Sequence, residues 1–325
     1  MRLSAIGDIV HTLPVLAALK RAGHDVSWLV EPAARDVLVG QPLLDAAVVA
    51  PSARRFRLAP ARATVRELRR QRFDVALDLQ GLFKSASWAR LSGARRVVGH
   101  ARRARREPLS ALLLHETAPV PTEAVHVIDK NLSLLRALGI EAIGTREFPL
   151  PPLPAVTGGD AGRAFALLNP GGGWAGKLWP AESFGALAQH VRAAGLASLV
   201  AWGPGERPLA ERVVAASSGA AELAPPTSLL ELVDLARRAR LVVAADTGPL
   251  HLACAVGAPV VALFGPTDPA RNGPFAPHDV VVRRVPSCAP CYRRGCTVHE
   301  GIMKTITVDE VARAVDARLA REARP

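Results

Sequence analysis

Aromatic residues are scarce in this chain of 325 residues, at 4% with a single Tyr, so its core has to be aliphatic. Ala, Leu and Val fill that role, within a hydrophobic share of 49%. Four Cys are too few for a disulfide scaffold, and the amino terminus lacks the basic, apolar and small-residue order of a secretory signal. A reducing cytoplasm is the expected setting. The longest nearly uninterrupted apolar stretch, Ala253 to Phe264, is broken by Gly257 and Pro259 and is too short to cross a bilayer, so no membrane span is expected. Near Gly7-Asp8 there is no Gly-x-Gly-x-x-Gly, which argues against a nicotinamide dehydrogenase. Gly171 to Lys177 has the spacing of a P-loop, but Leu178 stands where a magnesium-binding Ser or Thr is needed, so a nucleotide triphosphatase is also disfavoured.

What the chain has in excess is positive charge. Lys and Arg number 41 against 29 Asp and Glu, a net +12 whose field attracts phosphates, anionic lipid or nucleic acid. Arg54-Arg55-Phe56-Arg57, Arg95-Arg96 and Arg102-Arg103-Ala104-Arg105-Arg106 place much of it in the first half. With one Tyr and no stacking-aromatic motif, an RNA or single-strand platform is a poor fit.

Length favours two domains of about 150 residues each. Through the first 140 residues, short aliphatic runs (Val26 to Val30, Ala46 to Ala50, Asp74 to Leu79) alternate with amphipathic stretches (Leu13 to Arg21, Ala63 to Gln71, Val125 to Leu138). That rhythm predicts parallel strands with right-handed helical crossovers. Phe148-Pro149-Leu150-Pro151-Pro152-Leu153-Pro154 then breaks it, and Thr157-Gly158-Gly159 extends the break. Domains are therefore expected at 1–147 and 161–306, with a linker at 148–160. In the second, strands are predicted at Phe165 to Leu168, Leu196 to Trp202, Leu241 to Ala245 and Pro259 to Phe264. Helices are predicted at Pro180 to Ala193, Ser228 to Arg238 and Pro249 to Val256.

Two segments carry the chemistry. Ser4 to Pro14 and Ala245 to His251 each place a carboxylate, small residues and a helix start beside an apolar run, which is how open α/β sheets present ligand sites. The glycine-rich exit Gly171-Gly172-Gly173 exposes backbone N–H groups and Lys177 adds a cation, a combination suited to a diphosphate. Pro249 fits the first turn of a helix whose free amides, with Thr247, suit a second phosphate face. Asp246 reads as a ligand group or as a helix cap, and His251 as pointing at ligand or at sheet.

Together Ser4 to Pro14, Asp78-Leu79-Gln80-Gly81-Leu82-Phe83-Lys84-Ser85-Ala86, Arg106-Glu107-Pro108-Leu109, Lys177-Leu178-Trp179-Pro180 and Asp246-Thr247-Gly248-Pro249-Leu250-His251 resemble the lipopolysaccharide heptosyltransferases, most of all type I. The resemblance implies a GT-B fold: two Rossmann-like, doubly wound parallel-sheet domains facing across a cleft, with the last helix, here Val308 to Arg321 within 307–325, packing back on the first domain. It implies an inverting, metal-independent transfer of heptose from ADP-heptose to the Kdo of Kdo-lipid A. Asp8 would be the general base. Lys177, Glu206, Asp246, Thr247, Gly248 and His251 would bind donor, and Arg54, Arg55, Arg57, Lys84 and Arg106 would bind acceptor. No cofactor is implied. The protein is expected to be a monomer resting on the cytoplasmic face of the inner membrane, with no nucleic-acid partner. Rival readings are a GT-B transferase for another nucleotide sugar and a basic anion- or nucleic-acid-binding protein.

Two departures accompany the resemblance. Only Met1-Arg2-Leu3 precede the Ser4 segment where relatives begin with a longer apolar strand, so the first strand is expected to be curtailed or the true start to lie upstream. Cys288, Cys291, Cys296 and His299 have spacing that suits zinc, whereas the resemblance implies reduced thiols without metal.

Overall fold

The computed structural model describes residues 1–52, 58–156, 162–291, 293, 296–299 and 301–322. It divides into two units, Met1–Pro152 and Leu153–Pro325.

The first unit opens with α1 (Ile6–Val10) and α2 (Leu13–Arg21), followed by β1 (Ser27–Val30) and β2 (Ala46–Val49). Next come α3 (Leu58–Arg70), β3 (Val75–Asp78), α4 (Phe83–Leu91), β4 (Arg96–His100), β5 (Glu116–Ala118) and α5 (Val127–Ser133). Strands β1 and β2 pair in parallel, and so do β3, β4 and β5 in that order. Residues 1–3 run between the two groups. The Met1 ammonium donates to Leu77 O at 2.7 Å, Leu79 N donates to Met1 O at 3.2 Å, and Glu31 N donates to Leu3 O at 3.0 Å. Burial pushes the Met1 amine down to about 6. Leu3 is buried against Leu29, Val48 and Trp88, so these residues hold the central place of the layer.

The second unit holds one six-stranded parallel sheet in the order β11-β10-β9-β6-β7-β8. In chain order these are β6 (Phe165–Asn169), α6 (Ala181–Ala193), β7 (Ala197–Val200), α7 (Arg207–Ala216), β8 (Ala221–Leu223) and α8 (Leu229–Arg238). They continue through β9 (Leu241–Ala245), α9 (Gly248–Ala255), β10 (Val260–Phe264), α10 (Pro269–Asn272), β11 (Val280–Arg283) and α11 (Val308–Glu322). Strands β6, β9 and β10 are buried along their whole length, which is why they read as unbroken aliphatic runs. The chain leaves β6 toward β7 and β8, then crosses back to β9. Such a reversal opens a crevice beyond the carboxyl ends of the two strands at the switch, β6 and β9.

Val311, Ala314 and Val315 of α11 are buried in the second unit's core with α6, β10 and β11.

Candidate active site

Asp8 is the third residue of α1, and Ser4 and Ala5 link that helix to the three-residue central segment. The Arg2 guanidinium forms an ion pair with its carboxylate and also donates to Leu79 O. Ala5 N lies 3.3 Å from Asp8 Oδ2, and the side chain is 38% exposed. From the neighbouring helix α5, Asn131 Nδ2 holds His11 O and Thr12 Oγ1, each at 3.1 Å, and Thr12 Oγ1 donates to Asp8 O at 2.8 Å. Arg2 thus holds the carboxylate while Thr12 holds the backbone beside it, and the side chain stays partly open to a ligand.

The loop after β3 shares this edge. Gln80 Oε1 accepts from Leu3 N at 3.0 Å, and Lys84, at the start of α4, pairs with Glu31 at 2.7 Å. Lys84 also lines a cavity of about 910 Å³ with Pro51, Leu58, Val65, Trp88 and Leu91, where Arg62 and Arg66 add positive charge. Arg106 is exposed. Arg54, Arg55 and Arg57 lie outside the described residues.

Not all of the Arg102 to Arg106 cluster faces solvent. Arg105 is fully buried and pairs with Asp78, also fully buried, at 2.5 Å. Beside them His100 is 4% exposed with neither ring nitrogen hydrogen-bonded. Burial, then the charge of Lys130, pushes its pKa down to about 3.

In the second unit, the carboxyl ends of β6 and β9 bring the predicted donor residues together. Lys177 Nζ lies 2.5 Å from Asp246 Oδ2 and 3.1 Å from Asp246 O, and 4.6 Å from the centre of the Trp174 ring. Asp246, 5% exposed, also accepts from Thr267 Oγ1 at 2.6 Å and Asn272 Nδ2 at 2.6 Å, with His251 Nε2 at 3.2 Å. Burial alone would raise its pKa, but His251 and Lys177 outweigh it and hold the carboxyl far below the usual range. The Asp246 carboxylate is thus surrounded by Lys177, Thr267, Asn272 and His251 at the rim of the crevice. Through Asp246 this cluster holds the Lys177 ammonium in place.

Thr247 caps α9 and Gly248 begins it, which leaves the first-turn amides at the crevice. Glu206, at the start of α7 after the left-handed Gly205, accepts from Gly203 N at 3.0 Å. A Cβ on Gly171 would overlap the Glu206 carboxylate, and one on Gly172 would come within 2.7 Å of Thr247 Cγ2. At both positions β6 leaves the sheet close to two neighbouring loops, so a side chain there would have to displace Glu206 or Thr247. Thr267 and Asn272 were not among the predicted residues; Asn272 follows no motif, and Thr267 has only its place after β10 to mark it.

The sulfurs of Cys288, Cys291 and Cys296 lie within 4.8 Å of one another. The side chain of His299 lies outside the described residues.

Residues 61–301 match glycosyltransferase family 9 (heptosyltransferase). Lipopolysaccharide heptosyltransferase 1 of Pseudomonas aeruginosa is 31% identical over 316 residues, covering 91% of this chain and 86% of that one. The protein of the same name from Escherichia coli K12 is 29% identical, covering 87% and 92%. Among solved structures, E. coli heptosyltransferase WaaC with ADP superimposes with a TM-score of 0.77 at 24% identity over 98% of both chains. The Rossmann-like pair of units is thus the GT-B fold. With a family match over most of its length and a relative of this identity, the chain belongs to glycosyltransferase family 9, the heptosyltransferases.

Proposed function

We propose that the protein transfers L-glycero-D-manno-heptose from ADP-heptose to the Kdo of Kdo-lipid A, an inverting step in assembly of the lipopolysaccharide inner core. The observation that carries this reading is the Lys177 ammonium, held by buried Asp246 beside a glycine-rich strand exit and the open amides of α9. That set suits a diphosphate leaving group. The relatives named lipopolysaccharide heptosyltransferase 1 favour the substrate pair, as does a solved WaaC complex with ADP-2-deoxy-2-fluoro heptose.

In one displacement, an acceptor hydroxyl oxygen bonds to the anomeric carbon as the bond from that carbon to the diphosphate oxygen breaks. The electron pair leaves with ADP, and the hydroxyl proton passes to the Asp8 carboxylate. Negative charge grows on the diphosphate, where Lys177 and the α9 amides offset it without rearranging. These groups carry the step without calling for a metal. Thr247 and Gly248 line the phosphate side, and Glu206 the ribose side.

The acceptor is a phosphorylated, carboxylated sugar on a lipid. Arg106, Lys84 and the arginines at 54, 55 and 57 suit its anionic groups, Arg by bidentate contacts. The largely apolar cavity beside Lys84 suits its lipid part. No described helix is long and apolar enough to cross a membrane. Peripheral attachment at the cytoplasmic face of an anionic bilayer, as a monomer, fits this charge pattern.

The test is incubation with ADP-heptose and Kdo-lipid A, with and without Asp8→Asn. Product is expected from the native chain, with a loss in kcat of about 100-fold or more in the variant. Near-native turnover by Asp8→Asn would remove the assigned base. No product from the native chain would remove the substrate pair.

A further inference from the structure

Between β11 and α11 the chain runs from Arg284 to Thr307 with only short 3-10 turns at Thr297–His299 and Ile302–Thr305 among its described residues. Such a segment needs something other than a ladder of backbone bonds to hold it. It contains three of the four cysteines, Cys288, Cys291 and Cys296, and the structure gathers them. Their sulfurs lie within 4.8 Å of one another, with Cys288 Sγ and Cys296 Sγ 3.9 Å apart. Cys291 is 7% exposed and the other two are half-buried.

Tetrahedral zinc with Zn–S bonds of about 2.3 Å sets its sulfurs about 3.8 Å apart, so this cluster needs only small side-chain rotations to accept the ion. Three thiols packed this closely, partly out of water, gain little from one another. Soft thiolate donors favour zinc, Cu(I) and iron–sulfur centres over hard cations such as magnesium and calcium, and zinc is the divalent ion among them.

We infer that Cys288, Cys291 and Cys296 supply three ligands of a site for a thiophilic divalent metal, zinc by its ligand chemistry, with water filling the fourth position. Loading converts the three thiols to thiolates and releases three protons, with no change of oxidation state. The ion closes the segment on itself, and a backbone bond ties it to the loop after β10. Cys291 N donates to Pro266 O at 2.9 Å, and the next residue, Thr267, donates to Asp246 at 2.6 Å. A Cβ on Gly265 would come within 2.6 Å of Met303 Sδ, so the far end of the segment is pressed against the same strand exit. The metal therefore steadies the wall behind Asp246 and Lys177 and takes no part in the displacement.

Elemental analysis of protein purified without chelator should find about one equivalent of zinc per chain. Cys288→Ser, Cys291→Ser and Cys296→Ser should each lower that content about tenfold or more, while Cys254→Ser, in the core and outside the cluster, keeps it. Because a Ser variant can fail to fold, the native protein is also tested directly. A zinc-binding dye should read release of the ion by chelator, with three additional thiols becoming reactive toward a disulfide reagent. ADP affinity should fall on stripping and return on zinc addition. Native protein that is free of metal, takes up no zinc and shows the cluster thiols fully reactive would overturn the site. So would a Cys288–Cys296 disulfide in the freshly isolated protein.

Discussion

Lys177 reaches across from the β6 exit to Asp246 at the end of β9, placing Nζ 2.5 Å from Oδ2 and 3.1 Å from the backbone carbonyl of the same residue. The lysine side chain is 16% exposed and the aspartate side chain 4%. The lysine is thus the counter-charge of a buried anion.

Removing either partner should have distinguishable results. Asp246→Asn leaves Lys177 without its counter-charge and weakens the contacts of Thr267, His251 and Asn272, so a loss of about 3 kcal/mol in unfolding free energy is expected. Lys177→Met strips the cation from the leaving-group site. It should lower kcat and ADP affinity together, the latter about tenfold or more. Denaturant melts and calorimetric titration with ADP check the pair.

Gly171→Ala separates stability from binding. Its new methyl overlaps the Glu206 carboxylate, the far end of a flexible side chain, so the protein yields by moving Glu206 rather than its backbone. The melting temperature should change little while ADP binds about tenfold more weakly, a loss near 1.4 kcal/mol. An unchanged dissociation constant would show that Glu206 does not touch the nucleotide.

Neighbouring arginines should behave as opposites. Arg105→Leu leaves Asp78 as a buried charge without a partner and should cost about 3 kcal/mol of stability. Exposed Arg106→Ala should leave stability within about 0.5 kcal/mol and raise KM for the acceptor. Chemical denaturation and initial rates with varied Kdo-lipid A read the contrast.

His100 gives a pH signature. Its folded pKa, pushed down to about 3 from 6.5, means that the unfolded chain binds the proton first as pH falls. Stability is complete above about pH 6.5 and declines below it by up to about 1.4 kcal/mol per pH unit until the folded histidine itself protonates. His100→Leu should flatten that slope between pH 6 and 4, as measured by melting temperature against pH.

The most regular elements were legible in the residues. Leu13–Arg21 and Leu241–Ala245 form the helix and strand their patterns indicate. Strand β4 was hidden because its run opens with arginine and ends in Gly99 and His100, and α7 because Pro208 stands in its first turn, where proline is tolerated. At the site, spacing could place Lys177 and Asp246 at strand ends, but not show that four side chains converge on the Asp246 carboxylate. That depends on which loops meet, here those after β6, β9 and β10. The same limit applies to Arg105, whose burial is invisible inside a run of arginines.

Trp179, 1% exposed, donates its indole N–H to Ile306 O at 2.9 Å and meets Phe184 edge-on, with ring centres 4.9 Å apart. The residue two places beyond Ile306 begins the closing helix, so this indole is a natural optical gauge of whether that helix is seated. If the helix lifts away, water should reach the ring and shift its emission to longer wavelength, reporting an early opening of the carboxyl-terminal end without any attached label.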